Sequence, residues 1–148
     1  MTMNYLYGFN RQRGFMLIEV LITVIVVSLG LLGLAGLQAT GLRHNTSSYL
    51  RSQATFLAYD MADRIRANRR DALNNAYDIE LKDSASGTSL AVLDLQEWKG
   101  LLDDRLPEGD GSVSSNQIGN KTVFTITVEW DDSRGEEPPQ SFIFNTEL

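Results

Sequence analysis

The chain has 148 residues, enough for one modest domain, with 43% apolar and 22% charged residues and a formal net charge of −6. Residues 15–148 keep all 19 acidic residues but 11 of the 13 basic ones, a balance of −8, which argues against nucleic acid or anionic lipid as the electrostatic partner of that part. There is no cysteine, so disulfides, zinc–thiolate centres and thiol nucleophiles are excluded and the core alone must hold the fold together.

The N-terminal stretch is polar and basic and ends Arg11-Gln12-Arg13-Gly14. Phe15–Leu37 follows, apolar except for a few small polar residues and one charge, Glu19. At about 1.5 Å per residue it reaches about 35 Å, more than the ~30 Å of a bilayer's hydrocarbon core. Arg11 and Arg13 are expected to stay cytoplasmic, which exports everything beyond Leu37. A cleaved secretory signal is the second choice, because the small residues of Ala35-Gly36-Leu37-Gln38-Ala39 come after too long an apolar span. A plain anchor helix accounts for the span but not for Glu19. A carboxylate at the centre of a membrane helix costs about 3 kcal/mol, and less near an end, where it reaches the interface.

Gly14-Phe15-Met16-Leu17-Ile18-Glu19, after a short basic leader and before a long apolar run, resembles the processing site of type IV prepilins and related pseudopilins. The resemblance implies that residues 1–14 form a leader peptide and that a prepilin peptidase cuts between Gly14 and Phe15 on the cytoplasmic side. It also implies N-methylation of Phe15. Counted from Met1, the leader is longer than the shortest in the family, and Met3 is an alternative start. Glu19 becomes the fifth residue of the mature chain, where the family carries its glutamate. There it is expected to form an assembly salt bridge with the new α-amine of a neighbouring subunit, setting the axial register. Such a pair at about 4 Å gains about 4 kcal/mol at an effective dielectric of ~20, in a setting where neither charge is tolerable alone. Pairing within one chain is the alternative, since Phe15 and Glu19 are an i,i+4 pair on a helix.

Beyond the apolar span Leu50, Ala54, Leu57, Ala58, Met61 and Ile65 recur in steps of three and four, one apolar stripe of a helix. Asp60 with Arg64 and Asp63 with Arg66 sit at ion-pair spacing, and no proline occurs before Pro107. The pattern predicts a single helix from about Phe15 to about Arg70. Gly30, Gly33 and Gly36, with Gly41 beyond, weaken it at about 1 kcal/mol each. They allow either close helix packing and local unwinding, which would make them points of helix flexibility, or nothing beyond the ordinary tolerance of membrane helices for glycine. Residues 30–70, "GLLGLAGLQATGLRHNTSSYLRSQATFLAYDMADRIRANRR", resemble the PilV group of minor pilins, which implies a minor pilin of a type IVa pilus.

Residues 71–93 carry turn signals at Asn74-Asn75 and Asp83–Gly87. Asp94-Leu95-Gln96-Glu97 reads as a capping box opening a second helix with Leu95, Trp98, Leu101 and Leu102 on its apolar face, ended by Pro107 and Gly109. Ser112–Ile118 is a short strand. Thr122, Phe124, Ile126, Val128 and Trp130 alternate with polar or β-branched residues as a clear strand, and Phe142, Phe144, Thr146 and Leu148 alternate as a closing one. The expected class is α+β: a long N-terminal helix, its first half (residues 15–37) transmembrane, and a globular domain over residues 38–148. In that domain the second half of the helix packs on a small antiparallel sheet with one short inserted helix. This is the general pilin layout without the C-terminal disulfide many pilins carry.

Chemistry is sparse. His44 is the only histidine and has no partner at metal-binding spacing. Arg64, Arg66, Arg69 and Arg70 cluster near a helix C-terminus, where the macrodipole favours cations, and no interleaved aromatics offer base stacking. Asp131, Asp132, Glu136 and Glu137 around Gly135 are hard oxygen ligands without EF-hand spacing, read as a solvated turn. With no phosphate loop, triad or dinucleotide fingerprint, the expectation is no enzyme, cofactor, metal or small-molecule substrate. The resemblance implies a single-pass protein of the bacterial inner membrane that later enters the pilus filament or its tip. Its expected partners are the prepilin peptidase, other minor pilins, the major pilin and the inner-membrane assembly platform, serving motility and adhesion. The alternatives are a pseudopilin of a type II secretion system and a tip module that binds a surface, a protein or DNA.

Overall fold

A computed structural model of the chain describes residues 13–133 and 135–148. The expected leader lies outside the described residues as far as Gln12, and Gly14 and Phe15 are described only as backbone of the first helix. Helix α1 spans Arg13–Ala67. Its hydroxyls do not disturb it, because they turn back onto carbonyls four residues earlier: Thr23 Oγ1 to Glu19 O at 2.8 Å and Ser28 Oγ to Val24 O at 2.6 Å. The helix stops a few residues short of the expected Arg70 because Asn68 leaves helical geometry (φ −107°, ψ 48°). The Asn68 side chain instead donates to Asp71 and to the Tyr77 hydroxyl. A short helix α2, Arg69–Ala72, follows.

Contacts divide the chain at His44 and Asn45 into two units. In the second unit the predicted stripe Leu50, Ala54, Leu57, Ala58, Met61 and Ile65 is buried, together with Ala62. Helix α3 spans Leu90–Arg105 and buries Ala91, Leu95, Trp98 and Leu102, with Leu101 only partly covered. The expected cap at Asp94 is corrected. Ser89 is the N-cap, its Oγ accepting from Val92 N at 3.3 Å, and Asp94 lies inside the helix with its carboxylate committed elsewhere. The local capping hydroxyl captures the helix start before the chain reaches Asp94.

Strands β1 (Asp110–Ile118), β2 (Lys121–Trp130) and β3 (Gln140–Glu147) form an antiparallel sheet in the order β1-β2-β3. β1 begins two residues before the expected Ser112, because Asp110 and Gly111 still pair with Glu129 and Val128. The β1–β2 link is Gly119-Asn120, with Gly119 at φ +64°, a conformation suited to a two-residue hairpin turn. As the alternation predicts, Phe124, Ile126, Val128 and Trp130 face the core, with Val113 from β1 and the partly buried Phe142 and Phe144 from β3. The unit is therefore α+β, one cluster built from the later part of α1, α3 and one sheet face.

Specific contacts fix how these pieces meet. Trp98 Nε1 donates to Leu57 O at 2.9 Å, tying α3 to α1 through the core. The Tyr59 and Phe144 rings lie 4.5 Å apart between centroids. Arg64 donates to Asp60 at 2.9 Å, Glu97 at 2.9 Å and Asp94 at 3.4 Å, so one guanidinium clamps α3 onto α1. Tyr77 donates its hydroxyl to the other oxygen of Asp94 at 2.5 Å. The hydrogen bond to Glu97 raises the Arg64 pKa above its ordinary value against the effect of burial, and Arg64 in turn holds Glu97 below the usual carboxylate range. Burial, then the bond to Asp94, pushes the Tyr77 phenol up to about 12.

Two outcomes follow from this packing. A Cβ on Gly111 would run into the edge of the Trp98 ring and come within 2.8 Å of Leu102 Cδ1 and 2.9 Å of Thr127 O. Gly111→Ala should therefore lose about 1–3 kcal/mol, read as an earlier thermal transition of the full chain in detergent micelles. Tyr77 has a folded pKa above its unfolded value, so its contribution is complete below about pH 10 and disappears as pH rises from about 10 to about 12. The midpoint in denaturant should fall across that window, and Tyr77→Phe should flatten the fall. An unchanged alkaline slope in that variant would assign the loss to other groups.

Candidate functional site

Between Met16 and Leu42 every large apolar side chain of α1 is exposed, from 51% at Leu34 to 74% at Leu32. These residues occupy the whole circumference and not one stripe, so the covering must come from lipid or from other polypeptides. This helix is long and apolar enough to cross a membrane.

Glu19 lies near the start of that belt and is itself exposed. Among the described residues no cation pairs with its carboxylate, and its main-chain oxygen takes the Thr23 hydroxyl at 2.8 Å. Phe15 sits one turn before it on the same helix. The arrangement leaves an acid without a local answer in a segment that must be covered by something apolar. An unpaired charge in such a setting is costly, so a cation supplied from outside the described residues would stabilise it.

Gly30, Gly33, Gly36 and Gly41 lie within unbroken α1. Among the described residues a Cβ at any of them would meet nothing within 4 Å, so no close approach there calls for glycine. Any packing use of these positions needs a partner from outside.

The remaining sequence candidates separate. His44 is exposed on α1, and no cluster of three or more His, Asp or Glu suited to a metal occurs among the described residues. The arginine cluster does not form one surface. Arg64 is committed to α3, and Arg66 donates to Asp63 at 2.8 Å and to Thr146 Oγ1 at 2.6 Å, while Arg69 and Arg70 are exposed. In the acidic turn, Asp131 is buried and organises its own backbone. Its Oδ1 accepts from Ser133 N and Oγ, both at 2.7 Å, and its Oδ2 accepts from Gly135 N at 2.5 Å.

Shallow concavities flank residues 80–86, where Lys99 Nζ donates to Asp110 at 2.6 Å and to Glu80 O at 3.2 Å. Burial works to raise the Asp110 pKa. Lys99 and the backbone N–H groups of Lys82 and Gly111 outweigh it and hold the carboxyl below its ordinary value. These polar groups pin the loop to α3 and β1 instead of presenting free ends to a ligand. Sequence reasoning missed both the Lys99–Asp110 and the Tyr77–Asp94 pairs, whose partners lie 11 and 17 residues apart with no periodic signal between them.

The chain matches no protein-family model, no curated protein and no solved structure.

Proposed function

We propose that this chain is a minor pilin, made as a precursor, that takes part in assembling a type IV pilus. One observation carries the proposal: Glu19, five residues on from Gly14, is a carboxylate with no cation partner among the described residues, in a stretch of α1 whose large apolar side chains from Met16 to Leu42 are all exposed. The precursor waits in the inner membrane with residues 45–148 in the periplasm. A prepilin peptidase removes residues 1–14, and the α-amine of Phe15 appears close to where Glu19 already sits. When helices of neighbouring subunits replace lipid around residues 16–42, Glu19 accepts the amine of an adjacent subunit, because an unpaired charge in that setting is the costlier state. The pair therefore sets register more than it adds stability. The α+β domain with a helix laid over one sheet face agrees with the pilin-like layout. The subunit would meet the major pilin, other minor pilins and the assembly platform, and its effect on motility and adhesion would come through the filament.

Two variants test the scheme. Gly14→Val should leave full-length precursor in the inner membrane, because the residue before the cut must fit the peptidase. A mature mass beginning at methylated Phe15 in that variant would refute the processing step. Glu19→Ala should be cleaved and methylated normally but enter sheared filaments at about a tenth of the wild-type level or less, the scale of a lost charge pair worth about 1.4 kcal/mol or more. Wild-type incorporation would remove Glu19 from assembly. In a deletion strain, loss of pili supports the pilus assignment, whereas loss of exoprotein secretion with pili intact would move the protein to a type II secretion system.

A further inference from the structure

The two edges of the sheet are treated differently. Leu148 N donates to Thr122 O, so the even-numbered residues of β3 direct their main-chain groups to β2. The N–H and C=O groups of Ser141, Ile143, Asn145 and Glu147 therefore face away from the sheet. At the opposite edge Val113 exchanges two hydrogen bonds with Ile79, both at 2.9 Å, closing the middle of β1. The Ser115 hydroxyl adds bonds to Asn75 and Asp78 that hold the covering turn in place. Among the described residues no backbone hydrogen bond from outside the β2 ladder reaches β3.

Charge and proline guard only the ends of β3, at Pro138-Pro139 and at Glu147, which pairs with Lys121. Gln140–Thr146 contains no charge and no proline, and Ile143 is 58% exposed on the solvent face. The neutral run is preceded by a turn in which Glu136 and Glu137 are exposed and Asp132 is half-buried, and residues 131–139 hold four carboxylates against one arginine. The edge is thus uncharged through its middle, with exposed acids unpaired among the described residues, Glu136 and Glu137, before its start and a Lys121-paired acid, Glu147, at its end.

We infer that the outer edge of β3 receives an extended strand of another polypeptide, uncharged through its middle and basic where it passes Glu136 and Glu137. Main-chain bonds to Ser141, Ile143 and Asn145 supply the attachment, an apolar or β-branched side chain covers Ile143, and the basic end selects the direction. A second copy of β3 fits less well, since it brings no cation to the acidic turn. This inference goes beyond the pilus assignment and stands on the sheet alone, so it survives or fails independently of the processing and filament tests.

The experiment is amide hydrogen exchange on the full chain in detergent micelles, with the synthetic peptide Thr-Val-Thr-Ile-Thr-Lys-Lys and its Glu-Glu-ended counterpart as probes. The Lys-ended peptide should slow exchange at Ser141, Ile143 and Asn145 by about tenfold or more while leaving Phe142 and Phe144, already paired to β2, unchanged. The Glu-ended peptide should do less. Ile143→Pro removes an outward N–H without touching the β2 ladder and should abolish the effect. If that variant fails to fold, Ile143→Lys, which puts a charge on the edge, serves instead. No slowing, equal slowing by both peptides, or slowing confined to other surfaces would overturn the inference. So would protection of the same amides that grows with protein concentration in the absence of peptide, which would show a second copy on the edge.

Discussion

An apolar surface is stable only where something apolar covers it, and residues 16–42 present such a surface around the full turn of a helix. In residues 45–148 one stripe is enough. Leu50, Leu57, Met61 and Ile65 close against α3 and the sheet, and the other side of α1 carries polar residues with scattered aromatics such as Tyr49 and Phe56. The same element thus obeys two solvent rules along its length. That change in the pattern of burial, more than any single motif, separates a part that folds on its own contacts from a part whose environment must be supplied.

Charge handling follows the same division. Within residues 45–148 several partly buried charges have a definite answer. Arg64 meets three carboxylates, Lys99 meets Asp110, and Asp131 is satisfied by the backbone of its own turn. These pairs contribute little net stability, because desolvation offsets much of their attraction, but they specify how α3 and the loops seat on the core. Glu19 is placed in the opposite circumstance, inside an apolar belt with no cation brought to it by the described fold.

The parts of this architecture that repeat at short range were legible before any coordinates. Steps of three and four picked out six buried residues of α1, and alternation picked out the inward face of β2 and β3. The i,i+4 spacing of Asp60 and Arg64 and the i,i+3 spacing of Asp63 and Arg66 correspond to observed ion pairs. What was not legible depends on contacts between distant residues. Asp94 looks like a cap because Gln96 and Glu97 follow it, yet its value lies in reaching Tyr77 and Arg64. The start of α3 at Ser89 is hidden in the polar run Ser84–Ser89, where a capping serine resembles any loop serine. The covering of β1 by Ile79 leaves no periodic trace at all. Glu19 was conspicuous from the residues alone because its neighbours are uniformly apolar. No cation pairs with its carboxylate among the described residues.

The only two tryptophans, Trp98 and Trp130, are both sealed in the core of residues 45–148, one on α3 and one at the end of β2. The membrane-length stretch contains none. Tryptophan emission from this protein, excited away from its tyrosines, is therefore a report from the folded domain. A probe placed near Glu19 would open a second channel with almost no spectral overlap, so extraction from a bilayer and integrity of the domain can be followed side by side in one sample.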